Sequence, residues 1–510
     1  MSSVSDNNKR IAKNTVFLYG RTIILLCITL YSSRIVLEEL GVEDYGIYNV
    51  VGGVVAMFSL ISGSLSGAIN RYLTFGLGKG DIKRLTDIFS TSINIQLTLS
   101  LIILIVGEIV GIWLINNKLN LPVNRIYAVH WVLQGSLFVL VLSLINIPYN
   151  AIIIAHERMK TFAYASILET LLKLGCAFLL FITPFDRLIT YVVALTFSSL
   201  IMRIVYGIYC SRNFKECHYL GLKMNASVVK EMASFAGWNF FGSTTYLFNT
   251  QGVNILINIY FGVSLNAARG VVAQVDAAIT QFVNSFTMAL NPQIIKSYAQ
   301  GNSDYMYSLI CRGTKFSYFL MLLFIIPLWF EAPIVLHLWL KNVPEFSVVF
   351  LRLSLIATSI TTIANTQVTA ILATGNIKNY ELAVTSVGCL VFLLSWLAYY
   401  WGAPAQSTYW IYIAVYFFLH FIRIWFLRKL TYFPIKMLFK QTIIPIIVST
   451  PLVIIMPLII VSFMESTFLR LVILVISSSA VTVFSTMIFG MTQSERNIII
   501  NKAKQVISHH

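Results

Sequence analysis

The chain has 510 residues, a formal net charge of +16, 57% hydrophobic residues and only 11% charged ones. Soluble proteins carry about 25% charged residues, and a soluble fold of this length has no way to hide so much apolar surface. A lipid bilayer removes that constraint, so the composition excludes an ordinary soluble domain, and a membrane reading accounts for the positive charge better than nucleic-acid binding does.

The first thirteen residues are polar and no cleavable leader is expected, because the apolar stretch that follows is too long for a typical signal segment. A helix needs about 20 apolar residues to cross a core about 30 Å thick. Fourteen stretches qualify. In chain order they are 14–37, 45–69, 88–115, 127–154, 163–183 and 188–210, then 233–260, 266–290, 315–338, 348–373, 380–400 and 408–428, and finally 442–462 and 468–490. The seventh and eighth are the most polar, being rich in Asn, Gln, Ser and Thr.

Charge tests this count. With the N-terminus inside, the inward segments carry twenty-four Lys and Arg and the outward segments five: Lys118, Arg125, Arg187, Lys341 and Arg470. That alternation is what the positive-inside rule requires, and removing one helix would invert it downstream. Outward loops are ten residues or shorter and the longest inward one, Ser211 to Lys230, is near twenty. None can hold a catalytic domain. All six cysteines fall in helices or inward segments, so no disulfide is expected. Neither a metal cluster nor a cofactor motif is visible, and the terminal His509-His510 receives no role.

The chain also repeats itself. At a spacing of 221 residues Gly41-Val42 matches Gly262-Val263, Val50-Val51 matches Val271-Val272, Asn70 matches Asn291, and Gly80 matches Gly301. A second trace sets Ala155 and Lys160 against Ala373 and Lys378. Helices 1–6 thus correspond to helices 7–12. Six is even, so the copies share one orientation, as in parallel transporter repeats. The expected organisation is an N-terminal lobe over 1–230, a C-terminal lobe over 231–430, and two further helices with a tail over 431–510. Two lobes enclosing a cavity suit alternating access.

Ionisable groups inside spans are costly and need a reason. The basic ones are Arg21, Arg34, Lys173, Arg203, Arg269, Arg352 and Arg423; the acids are Glu108, Glu169, Asp276 and Glu331. Glu169 and Lys173, at i and i+4, are expected to pair, as structure or as site. Arg352, Arg423 and Glu331 lie near span ends and are expected to reach for the interface. Arg34 and Arg269 also sit toward outer ends, where the same reading competes with a site. Arg21, two turns into helix 1 among Ile23, Ile24 and Leu25, and Asp276, near mid-depth in helix 8, are expected to face a wet cavity. Asp276 is either an ion-coupling group or a counter-ion for Arg269. Asn249, Asn254 and Gln274 head the amides read as cavity lining. Guanidinium forks match phosphate oxygens, and amides suit sugars, so the implied substrate is anionic and hydrogen-bonding.

Leu40-Gly41-Val42-Glu43-Asp44-Tyr45-Gly46, the Ala68-Ile69-Asn70-Arg71-Tyr72 exit, Asn291-Pro292 and the six-plus-six-plus-two layout together resemble the polysaccharide transporters of the multidrug/oligosaccharidyl-lipid/polysaccharide exporter superfamily, in particular Wzx-type O-antigen flippases. The resemblance implies a MATE-like, all-α membrane fold of about fourteen helices in a bacterial inner membrane, with both termini cytoplasmic. It implies no cofactor and no enzymatic activity. The implied activity is movement of undecaprenyl-diphosphate-linked oligosaccharide from the inner to the outer leaflet, by a monomer among membrane lipids and beside polysaccharide polymerase or biosynthesis partners. Related lipid-II flippases carry cavity arginines in helices 1, 2 and 8. Arg21, Arg34 and Arg269 match two of those helices, and helix 2 offers only Arg71 at its exit. A cation-coupled multidrug exporter or a lipid-II-type flippase shares the fold, although the basic intramembrane balance speaks against cationic drugs. A membrane glycosyltransferase or polymerase would need a catalytic constellation that is not visible.

Overall fold

A computed structural model describes residues 4–56, 59–117, 123–217, 219, 221, 225–261, 263–340, 343–491 and 496. Lys118, Asn120, Lys223, Gly262, Lys341, Lys502, Lys504 and His509-His510 lie outside them. The described residues are almost all helical, with no strand among them, and they form two compact units that divide between Phe240 and Phe241.

The first unit contains α1 (Val4–Ala56), α2 (Ser59–Lys79), α3 (Ile82–Asn117), α4 (Ile126–Ala155), α5 (Met159–Ile182), α6 (Arg187–Asn213) and most of α7 (Ala226–Leu247). α1 is two helices joined at Gly41, whose φ of +73° and ψ of 170° belong to neither. Only glycine takes that region without strain, so the glycine that opens the LGVEDYG stretch is the elbow between the first two expected spans. α4 runs through the middle of the unit, packed on α2, α3 and α6, while α1 packs mainly on α5. One core joins Val36 and Val51 of α1 to Val132, Ala177 and Val192. A second joins Ile69, Phe89, Ile152, Met202 and Met232.

The second unit takes the end of α7, a π-helical turn at Phe248–Gly252 and α8 (Val253–Phe261). It continues with α9 (Val263–Ala299), α10 (Ser303–Phe330), α11 (Ala332–Trp339), α12 (Ser347–Thr362) and α13 (Asn365–Thr374). It closes with α14 (Lys378–Tyr400), α15 (Ser407–Thr431), α16 (Ile435–Leu438), α17 (Ile444–Phe463) and α18 (Phe468–Ser485). Its core joins Val272 and Val283 of α9 to Phe319, Leu351 and Val453.

Ten helices among the described residues are long and apolar enough to cross a bilayer. The four remaining expected spans fall on α1, on α1 with α2, on α7 with α8, and on α9. These are also the helices that carry Arg21, Arg34, Arg269, Asp276 and most of the amides.

The repeat has a backbone signature. Gly80 follows α2 with φ +75°, and Gly301, 221 positions later, follows α9 with φ +72°. In the second trace Glu157 (φ +58°) and Gly375 (φ +77°), both two residues beyond the matched alanines Ala155 and Ala373, make the same left-handed turn. Each trace therefore ends matching helices with matching turns.

Loops expected on one side of the membrane meet in the first unit. Arg125 donates to Asp44 at 2.8 Å and also binds Asp186, and Arg187 reaches the Glu39 carbonyl at 3.0 Å. At the opposite ends of these helices Arg10 pairs with Glu157 at 2.8 Å and His156 contacts Glu216. All six cysteines are free thiols, four of them buried.

Candidate functional site

The expected site residues fall into two sets, one in each unit. In the first, Arg21 of α1 is half-buried against α5, its guanidinium carbon 4.8 Å from the centroid of Phe162. Its Nε is buried and has no hydrogen-bond partner among the described residues. Glu169 of α5 and Tyr206 of α6 lie within its electrostatic reach. Lys173 Nζ donates to Glu169 Oε1 at 2.8 Å, and both side chains are partly exposed. The arginine thus adds a second cation to the Glu169–Lys173 pair, leaving an excess of one positive charge. Sequence spacing within one helix showed the pair; the packing of α1 on α5 adds Arg21. Arg34 is exposed, two turns before the Gly41 elbow. Arg203, beside this set on α6, donates to the Tyr149 hydroxyl at 3.0 Å and stacks on its ring at 4.3 Å.

In the second unit the π-helical turn does the positioning. An i→i+5 turn skips one carbonyl in the helical ladder, and Arg269 Nη2 of α9 donates to the Asn249 carbonyl at 2.7 Å. Arg269 Nη1 is buried and has no partner among the described residues. Tyr399, Tyr409 and Tyr412 lie within electrostatic reach of the guanidinium. The Asn249 side chain bonds outward from the same turn, its Nδ2 reaching the Gly388 carbonyl and the Tyr416 hydroxyl at 3.3 Å each. Its Oδ1 is buried without a partner. Asn254 is half-buried one turn along, and Gln274 is exposed on α9.

Asp276 has other company than Arg269. Its carboxylate accepts from the Ser354 hydroxyl and, at 3.2 Å, from the Thr358 hydroxyl, both of α12. No ion pair joins it to Arg269 among the described residues. Both groups lie within electrostatic reach of Tyr409, whose hydroxyl is buried and unpartnered. Seven residues on one helix face did not produce a pair, because the arginine finds a carbonyl on α7's continuation and the acid finds hydroxyls on α12.

Of the three residues expected at the interface, Glu331 is found elsewhere. Glu331, at the junction of α10 and α11, is fully buried and holds Arg470 of α18 through two bonds, 2.7 and 3.0 Å. The pairing partner was assigned to an outward loop, and no spacing rule connects positions 139 residues apart. Removing one member of such a buried pair costs about 3–5 kcal/mol, so this pair fixes α18 to the bundle and is not a surface charge. Arg423 of α15 is half-buried, its Nε enclosed and unpartnered, 5.7 Å from the Tyr416 ring. Arg352 stays tied to Trp329, donating to its carbonyl at 2.9 Å and lying 5.3 Å from its ring.

Sequence reading also passed over Glu381 and the polar face of α15. Glu381 is buried in the first turn of α14, its carboxylate pressed on Gly242 of α7. The α15 face was legible: Tyr409, Tyr412, Tyr416, His420 and Arg423 recur at helical spacing in an otherwise apolar helix. An apolar groove of about 970 Å³ between α5 and α6, bounded by Leu168, Leu172, Leu179 and Phe197, holds none of the expected site residues.

A family described as polysaccharide biosynthesis protein matches residues 11–298. No curated protein matches the chain. Among solved structures, a MATE transporter in complex with MaD5 is 12% identical with a TM-score of 0.70, over 84% of this chain and 97% of the other. The MATE transporter ClbM in complex with Rb+ is 15% identical with a TM-score of 0.69, over 83% and 96%. A MOP superfamily transporter from Pyrococcus furiosus, described as having a binding pocket of reversed polarity, is 12% identical with a TM-score of 0.68, over 83% and 96%. At these identities the likeness is one of fold.

Proposed function

Because the chain belongs to the polysaccharide biosynthesis protein family, we propose that it is a flippase. It carries undecaprenyl-diphosphate-linked oligosaccharide from the inner to the outer leaflet of a bacterial inner membrane, by alternating access. One observation carries this reading: Arg21 and Arg269, one in each repeat, each hold a buried guanidinium nitrogen that no group among the described residues satisfies. A buried donor without a partner is costly, and a diphosphate supplies the oxygen acceptors that remove the cost. The aromatic and amide groups beside them, Phe162 and Asn249 with its free Oδ1, suit sugar rings and hydroxyls. Arg34 and the exposed Gln274 then serve as outer contacts, and Asn254 as a further amide.

Asp276 is the candidate for ion coupling. It lacks a cationic partner among the described residues and is held by two hydroxyls, so a proton or cation loads there without displacing an arginine. The membrane potential acts in parallel. Moving a diphosphate outward from an electrically negative cytoplasm is favoured by about 2.3 kcal/mol per charge per 100 mV.

The test is complementation of a deletion strain, reading the leaflet in which lipid-linked oligosaccharide accumulates. Arg21→Ala should leave it in the inner leaflet while the protein still inserts. Arg21→Lys should restore only part of the transfer, since an ammonium lacks the planar fork. Normal transfer by Arg21→Ala would make this arginine structural and the site wrong.

A further inference from the structure

α15 carries one polar face along most of its length. Tyr409, Tyr412, Tyr416, His420 and Arg423 follow at intervals of three, four, four and three, which puts them on one side of a helix. At 1.5 Å per residue they extend about 21 Å, the greater part of a bilayer core. The rest of the helix is apolar and largely exposed, with Phe417, Phe418, Phe421 and Trp425 pointing outward. The polar face turns inward, toward α12, α13 and α14, against which α15 packs.

Each end of this face meets an acid. At the basic end, near Arg428 and Lys429, Glu381 of α14 lies within electrostatic reach of Arg423, as does His420. Tyr380, beside Glu381, contacts the same guanidinium. Toward the other end Asp276 of α9 lies within reach of Tyr409 and Tyr412. Between them the rings of Tyr412 and Tyr416 stack at 4.1 Å and 12°, with their hydroxyls in hydrogen-bonding reach. Arg269 and Tyr399 flank the Asp276 end. Arg352, the charged group of α12, is held away at Trp329.

Packing explains a buried polar face only if its groups bond to one another. Here many do not. Both ring nitrogens of His420, Nε of Arg423, the Tyr409 hydroxyl, Oγ1 of Thr385 and Oδ1 of Asn249 are buried without a partner among the described residues. Native proteins leave few buried polar groups unmatched, and such concentrations mark function. Intramembrane chains of acids and histidine are the usual means of moving protons.

We propose that the polar face of α15, from Glu381 at one end to Asp276 at the other, is a proton path through the interior of the second unit. Glu381 takes a proton onto a carboxylate oxygen. His420, whose ring nitrogens have no protein partner among the described residues, takes it up on one nitrogen through intervening water and releases the proton of the other. Each tyrosine hydroxyl accepts a proton on its oxygen as it gives up its own, and Asp276 receives the last. Arg423 stays charged throughout and opposes a second positive charge resting on His420. The path extends the exporter reading, on which its use in coupling rests, but its existence does not depend on the substrate.

The experiment is infrared difference spectroscopy of the full-length protein in liposomes after a pH jump, without substrate. Two carboxyl bands are expected, one lost in Glu381→Gln and the other in Asp276→Asn. Tyr416→Phe, which keeps the ring stack, should slow the Asp276 band at least tenfold and leave the Glu381 band unchanged, and Tyr412→Phe should do the same. An Asp276 band that rises at the wild-type rate in both variants, or no titrating carboxyl, overturns the path. Leaflet transfer of lipid-linked oligosaccharide, measured separately, decides the exporter reading, so either result can fail alone.

Discussion

At the residue scale the decisive feature is which charges find partners. Arg125 finds two carboxylates, from segments that precede it and follow it by some sixty to eighty residues. Burial alone would raise the Asp186 carboxyl, but hydrogen bonds from Arg125 and the Ile189 amide outweigh it and hold the group below its ordinary 3.8. A depressed carboxyl contributes stability above its unfolded value and loses it as pH falls through the folded value. The charged latch among the first unit's loops should therefore be intact at neutral pH and weaken in acid below about pH 4. Thermal melting of Asp186→Asn should show a lower midpoint at pH 7 and a shallower loss on acidification than the parent. An identical acid profile would mean that the latch does not contribute. Other charges gave no such signal in the sequence. Arg21, Arg269 and Asp276 were legible as intramembrane exceptions, but Glu331 was misread, because its partner Arg470 is brought to it only by the packing of α18 on α10.

Elements were legible where hydropathy is high and obscure where function interrupts it. The ten strongly apolar helices coincide with expected spans. The other four spans are diluted by arginines, amides and small residues, and there the alternation of loop charge was the stronger support. What periodicity does not show is a change of helix type. The π-helical turn at Phe248–Gly252 contains the carbonyl that Arg269 holds, and nothing in FNTQG announces it. The Gly41 elbow is the opposite case, since a glycine between two amphipathic runs marks a turn. A Cβ at Gly41 would meet no atom within 4 Å, so replacement acts through the backbone alone. Gly41→Ala should cost about 1–3 kcal/mol, read as a lower melting temperature of the detergent-solubilised protein. An unchanged midpoint would show that the elbow relaxes into a continuous helix.

The whole molecule is governed by its repeat and its charge. An ungapped stretch of about forty aligned residues and two pairs of left-handed turns relate the two halves, while the candidate site groups differ between them. The first unit keeps an arginine with an acid–lysine pair. The second keeps an arginine on a distorted helix, an isolated acid and the polar face of α15. The spacing of the α15 face was legible, but its tyrosines look like ordinary aromatic packing until the Tyr409 hydroxyl is found buried without a partner among the described residues and those of Tyr412 and Tyr416 within reach of each other. The net charge of +16 belongs mainly to inward-assigned loops, where it orients the chain and attracts anionic headgroups. The most direct measurement is leaflet transfer of undecaprenyl-diphosphate oligosaccharide by the purified protein in liposomes under an imposed potential. Transfer should be strictly protein-dependent, should be lost in Arg21→Ala with Arg269→Ala, and should shift its end-point roughly fifty-fold per net charge moved for each 100 mV. Transfer no faster than in protein-free liposomes at any potential would contradict the account.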